Sequence, residues 1–185
     1  KVWAETCKAL NAGGTRVFLS VLWGTGALIS CLKAQQEIAF EERLSDFWLG
    51  SADQLTATEQ LIGFSLFLNN EHPGNDIHID LLTGLGAPKT IVETARLGAS
   101  IYANLRKSTD SARASVDFLG RVDALRRPER FEVANKLAMA STHMASERKM
   151  LERLEDAAVA ARSVNLSELA RMNVGGFEKS QYATA

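Results

Sequence analysis

The sequence predicts an all-α fold, a multi-helix bundle of about six or seven helices, and three observations carry that expectation. Residues 128–163 place Leu137, Met144, Leu151 and Ala158 seven apart, with Val133, Ala140, Glu147, Leu154 and Ala161 as a second row. Such a seam hides from water only against another helix, and it reads as one long helix. Proline occurs only at Pro73, Pro88 and Pro128, so long stretches carry no helix breaker. No apolar–polar alternation is longer than residues 77–81, which leaves little material for a sheet.

Residues 2–10 read as a short helix ended by Asn11-Ala12-Gly13-Gly14, and 1–14 as an N-terminal arm. A long helix is expected from Thr15 to about Trp48, apolar all round at first and amphipathic later, until Leu49-Gly50-Ser51 breaks it. Thr56 and Glu59 form a capping box, in which each side chain satisfies an amide left open at the helix start. It opens a helix rich in apolar residues: Leu61, Ile62, Phe64, Leu66, Phe67 and Leu68. Residues 69–80 read as a polar loop, continued by Gly84-Leu85-Gly86.

Pro88 suits a first helical position, and its helix carries Val92, Ala95, Leu97, Ile101 and Leu105 on a buried face. Ser108-Thr109-Asp110 caps a further helix bearing Phe118, Leu119 and Val122. Pro128 opens the seamed helix, and Asn165 with Glu168 caps a short last one. Residues 174–185, with Gly175-Gly176, read as a tail. At 185 residues, a single helical domain over 1–185 is expected.

A hydrophobic share of 46% and a charged share of 23% exclude the composition of a disordered chain. Cys7 and Cys31 are too few for a disulfide framework and have no histidine neighbour to activate them. Charge is unevenly spread. Residues 1–88 hold 5 basic and 10 acidic side chains, residues 89–136 hold 10 and 6, and residues 137–185 hold 6 and 6. An acidic front and a basic middle suit head-to-tail association or a polyanion.

Residues 17–30 are a 14-residue, nearly uncharged run after Lys8 and Arg16. The run is shorter than the roughly 20 residues of a membrane span and matches the apolar stretch of a signal peptide. Leu28-Ile29-Ser30-Cys31 also resembles a bacterial lipoprotein box. Continuation in helical register through Leu32, Ile38, Phe40, Leu44 and Phe47 favours a buried core helix, with membrane contact through 17–32 as the lesser reading.

Two clusters invite a metal reading. Glu71, His72, Asp76, His78 and Asp80 fall within ten residues, and in an extended segment Asp76, His78 and Asp80 project to one side. No known ligand spacing is matched, and the EF-hand pattern fails at its glycine and terminal glutamate. His143 and Glu147 share a helix face, yet a lone polar residue in a seam more often sets register or finds a basic partner. The dinucleotide fingerprint, the phosphate-binding loop and the GxSxG elbow are all absent. The expectation is therefore no metal, no cofactor and no enzyme.

The basic middle remains. Arg96, Arg106, Lys107, Arg113, Arg121, Arg126, Arg127 and Arg130 are mostly arginine, whose fork matches phosphate, and Tyr102 is placed to stack on a base. The expected function is a structural, assembling subunit that forms a homo-oligomer or larger assembly, in one version a coat- or nucleocapsid-like filament that grips a nucleic-acid backbone without sequence preference. The alternatives are an accessory subunit of a membrane-bound complex, and a metal-binding enzyme or sensor using His72 and His78.

Overall fold

A central helix organises the molecule. In the computed structural model, which describes residues 1–32, 39–50, 54–72, 75–105 and 112–163, α4 (Ala57–Glu71) is buried at every position from 61 to 68. A helix apolar on all sides must be surrounded rather than laid on a surface. Around it pack α1 (Val2–Gly24), α3 (Phe40–Gly50), α5 (Ile77–Gly84), α6 (Lys89–Leu105) and α8 (Pro128–Ala140). The short α2 (Ala27–Cys31) touches α1 and α5, while α9 (Ala145–Ser163) packs on α8, α6 and α7 (Ala112–Arg121). The fold is all-α, with nine helices and no strand among the described residues.

The predicted start signals work as expected. The Thr56 hydroxyl accepts from the Glu59 amide at 3.3 Å, and the Glu59 carboxylate accepts from the Thr56 amide at 2.8 Å. Lys136 of α8 also donates to Glu59 at 3.1 Å, tying the start of α4 to a second helix. Burial alone would raise the Glu59 pKa, but the Thr56 amide, Lys136 and the Thr56 hydroxyl together hold it below the usual carboxylate value. Pro128 sits in the first turn of α8, whereas Pro88 stands one residue before α6, where its carbonyl accepts the Ile91 and Val92 amides.

Two apolar cores result, with α6 and α8 as the wall between them. The larger gathers Phe40, Phe47, Phe64 and Phe67 around α4, with Val92, Ala95, Leu137 and Ala140 from the wall. The smaller joins Phe118, Leu151, Leu154 and Ala158 to Leu97, Ile101, Phe131, Ala134 and Ala138. Gly98 lets the wall close up: a Cβ there would stand 2.8 Å from a Leu66 methyl and 3.4 Å from the Ala134 carbonyl.

Three elements differ from expectation. The stretch 15–48 is not one helix, because Thr25-Gly26 turns the chain after Gly24 and α3 begins only at Phe40. The break expected at 11–14 falls at Gly14, whose φ of 76° and ψ of 158° kink α1. Before it, Thr6 and Leu10 are buried, so the segment at 1–14 is seated on the body. The apolar run at 17–30 buries Leu19 and Leu28 but exposes Val17, Val21 and Ile29 by more than half. No helix among the described residues is long and apolar enough to cross a membrane.

The polar loop expected at 69–80 is largely helical, as α4 continues to Glu71 and α5 begins at Ile77. Ile77, His78, Leu81 and Leu82 form a buried stripe at i, i+4 spacing. Residues two apart on a helix face away from each other, so Asp76, His78 and Asp80 do not line one side. The third difference is the seamed helix, which is two helices broken at residues 141–144. Leu137, Leu151, Leu154 and Ala158 keep the expected burial, whereas Met144 is 60% exposed. The caps at 108–110 and 165–168 and the tail at 174–185 lie outside the described residues.

Candidate functional site

The basic residues sort into three groups. Arg106 and Lys107 lie outside the described residues. Arg96 is exposed on α6, where its charge acts on His78 of α5. The rest follow α7 and the corner into α8. Arg113 and Arg121 are exposed and eight residues apart, hence on one face of α7, and the Arg121 guanidinium carbon lies 5.8 Å from the centre of the Phe118 ring. Arg126 and Arg127 are exposed and flank Asp123 at 3.5 and 3.4 Å, with Asp123 held at a φ of 59° in the turn. Arg130 follows, exposed, in the first turn of α8.

Tyr102 does not join them. Its ring is 7% exposed, and its hydroxyl donates to both carboxylate oxygens of Glu147 at 3.0 Å each. The base-stacking role expected for it is therefore corrected: a ring buried against protein presents no face to a base. The reason is positional, since Tyr102 follows Ile101 on the buried side of α6, facing the α8–α9 break.

That break forms a second feature, which the sequence reading missed. Where the seamed helix stops, the Ser141 amide bonds back to the Leu137 and Ala138 carbonyls, and its hydroxyl donates to Ala138. Asn70 of α4 donates to both the carbonyl and the hydroxyl of Ser141, at 3.2 and 3.0 Å. Thr142 donates to Glu147, accepts from the Met144 amide, and receives the Arg148 guanidinium on its carbonyl at 3.2 Å. Glu147 thus stands in the first turn of α9, where the helix dipole favours negative charge. Among the described residues its partners are two hydroxyls, in place of the register-setting role or basic partner expected for a polar seam residue.

Above this network opens a cleft of about 430 Å³ between α3, α4, α6 and the break. Its walls include Phe67, whose ring meets the exposed His143 edge-on at 4.7 Å, and Met144. Arg43 of α3 crosses one side, with its Nε 2.9 Å from Glu71 and a second nitrogen 3.5 Å from Asp46. Three consecutive poor helix formers, Ser141-Thr142-His143, were the available signal for this site.

The cluster at 71–80 behaves differently. His78 is 4% exposed, and its Nδ1 lies 2.8 Å from the Asn69 side-chain oxygen. Because that oxygen only accepts, Nδ1 carries the ring proton. Burial, helped by Arg96 and opposed by Asp76 and Asp80, lowers the His78 pKa from 6.5 to about 4, so the ring is neutral. No group of three histidine, cysteine or carboxylate side chains able to hold a metal occurs among the described residues.

No protein-family model, curated protein or solved structure matches the chain at a significant level.

Proposed function

We propose that this protein is a non-enzymatic assembly subunit, of the coat or nucleocapsid kind, that associates with copies of itself and holds a nucleic-acid backbone at the α7–α8 corner. One observation carries the reading: Arg126, Arg127 and Arg130 are gathered at the N-terminal end of α8. A helix N-terminus already bears partial positive charge, so cations there gain nothing from the dipole. Ordinary helix capping would place them at the opposite end. With Arg121 closing α7, the corner offers four exposed guanidiniums, each a planar fork suited to phosphate oxygens.

Asp123 and Glu129 are the acidic residues among them, and the pairs of Asp123 with Arg126 and Arg127 are open to solvent. Exposed pairs of this type contribute about 0–1 kcal/mol, so a polyanion can compete for the same arginines. Self-association draws support from apolar side chains left open to water, with Val17 and Val21 one turn apart on α1 and Val116, Leu125, Val133 and Val159 on α7–α9 and the α7–α8 corner.

The test is retention of a single-stranded oligonucleotide in low salt. The wild-type chain binds, and the double variant Arg126→Glu, Arg127→Glu loses binding. Wild-type protein that retains no oligonucleotide, or a double variant that binds equally well, overturns the proposal.

A further inference from the structure

We infer that the cleft at the α8–α9 break binds a small organic cation, a guanidinium or primary ammonium group on a short apolar stem, with Glu147 as its counter-ion. The argument rests on charge matching inside the cleft. Arg43 already faces two carboxylates, Glu71 at 2.9 Å and Asp46 at 3.5 Å, so its charge is matched within the site. Glu147 is not matched. Its partners are the Tyr102 and Thr142 hydroxyls, both neutral, and among the described residues no cation lies within ion-pair distance of it.

A carboxylate offers about four acceptor positions, and two hydroxyl protons fill about half of them. The remaining capacity is available to a donor entering the cleft. The hydroxyls also fix the carboxylate in place, so a ligand need not immobilise it on binding. The volume of about 430 Å³ lies within the roughly 300–1,000 Å³ range of small-ligand sites. Phe67 and Met144 supply apolar surface beside the charge, which favours a cation with a short alkyl stem over a bare metal ion or ammonium. The site is separate from the α7–α8 arginines and carries the opposite charge, so it stands whether or not the chain binds nucleic acid.

Calorimetric titration of the full chain with agmatine, butylamine and the neutral butanol tests the inference. Agmatine and butylamine should bind at one site and butanol should not. Glu147→Gln keeps an oxygen for Tyr102 and Thr142 but removes the charge, and should weaken both amines about ten-fold or more. Should that variant lose its helical signal, Met144→Ala decides, because Met144 is 60% exposed and its truncation spares the core. It should weaken agmatine about three-fold through lost apolar contact. Agmatine that fails to bind at about 10 mM, or binds with an affinity that the folded variants leave unchanged, overturns the inference.

Discussion

The core around α4 and the core beneath α9 are built from different material. In the first, aromatic rings touch one another, with Phe47 5.6 Å from Phe64 and Phe64 6.4 Å from Phe67. Each such ring buries roughly 150–250 Å² and gains further from its neighbours. The second core has Phe118 and Phe131 and is otherwise filled by leucine, isoleucine and alanine, with α7 and α9 each contributing one buried stripe against the α6–α8 wall. In the first core α4 is consumed by packing, while α1 around it buries only Thr6, Leu10, Thr15 and Leu19 and keeps an outer face. The helices of the second also keep an outer face, and the clustered arginines stand there. The polar cleft lies at the seam between the two. The larger share of buried aromatic surface thus lies around α4, and the clustered arginines lie on the other side of the α6–α8 wall.

The contrast can be broken by mutation. Phe64→Ala removes a fully buried ring from the aromatic core and should cost about 3–5 kcal/mol in a urea titration. Leu151→Ala, also fully buried but in the thinner core, should fall near the low end of about 2–5 kcal/mol. If the leucine variant proves the more damaging, the two cores have been ranked wrongly.

Acidification should weaken the α4–α5 contact through His78. In the unfolded chain the imidazole takes its proton near 6.5, and in the fold only near 4. The unfolded state therefore binds more protons between those values, so the His78 contribution is intact above pH 6.5 and declines as pH falls towards 4. The full loss is about 3 kcal/mol, and His78→Gln should flatten that part of the stability–pH curve. An unaltered curve would show that another group controls it.

Smaller effects belong to the cleft and the corner. Tyr102→Phe removes the hydroxyl on Glu147 and should cost about 1–2 kcal/mol, since Thr142 still serves the carboxylate. Replacing Arg126 and Arg127 by glutamate should move stability by no more than about 0.5 kcal/mol, as both are exposed and loosely paired. A large loss there would make the corner a structural device and remove the ground for a binding role.

Much of the helical framework was legible because its signals are local. The Thr56–Glu59 box, Pro128 at a first turn and the apolar run at 61–68 depend on neighbours a few residues away. The break at 141–144 was not legible in the seam, since a seven-residue apolar repeat does not register whether the backbone between repeats is continuous. Leu137 and Leu151 keep their burial on either side, while Ser141 and Thr142 turn their hydroxyls onto nearby groups and end the helix. The same limit misplaced Tyr102. Its place in the basic middle of the sequence suggested base stacking, but burial depends on what α6 packs against, and that is a long-range fact. Alternation over 77–81 fits a strand and a short helix equally well, and packing on α4 decides for the helix.

The proposed grip of the α7–α8 arginines on a phosphate backbone stands or falls with the salt dependence of oligonucleotide binding. Affinity of the wild-type chain should fall linearly with the logarithm of salt concentration, and each of Arg121, Arg126, Arg127 and Arg130 replaced by alanine should reduce the slope by about one. A slope near zero, or one that the four substitutions leave unchanged, would contradict it.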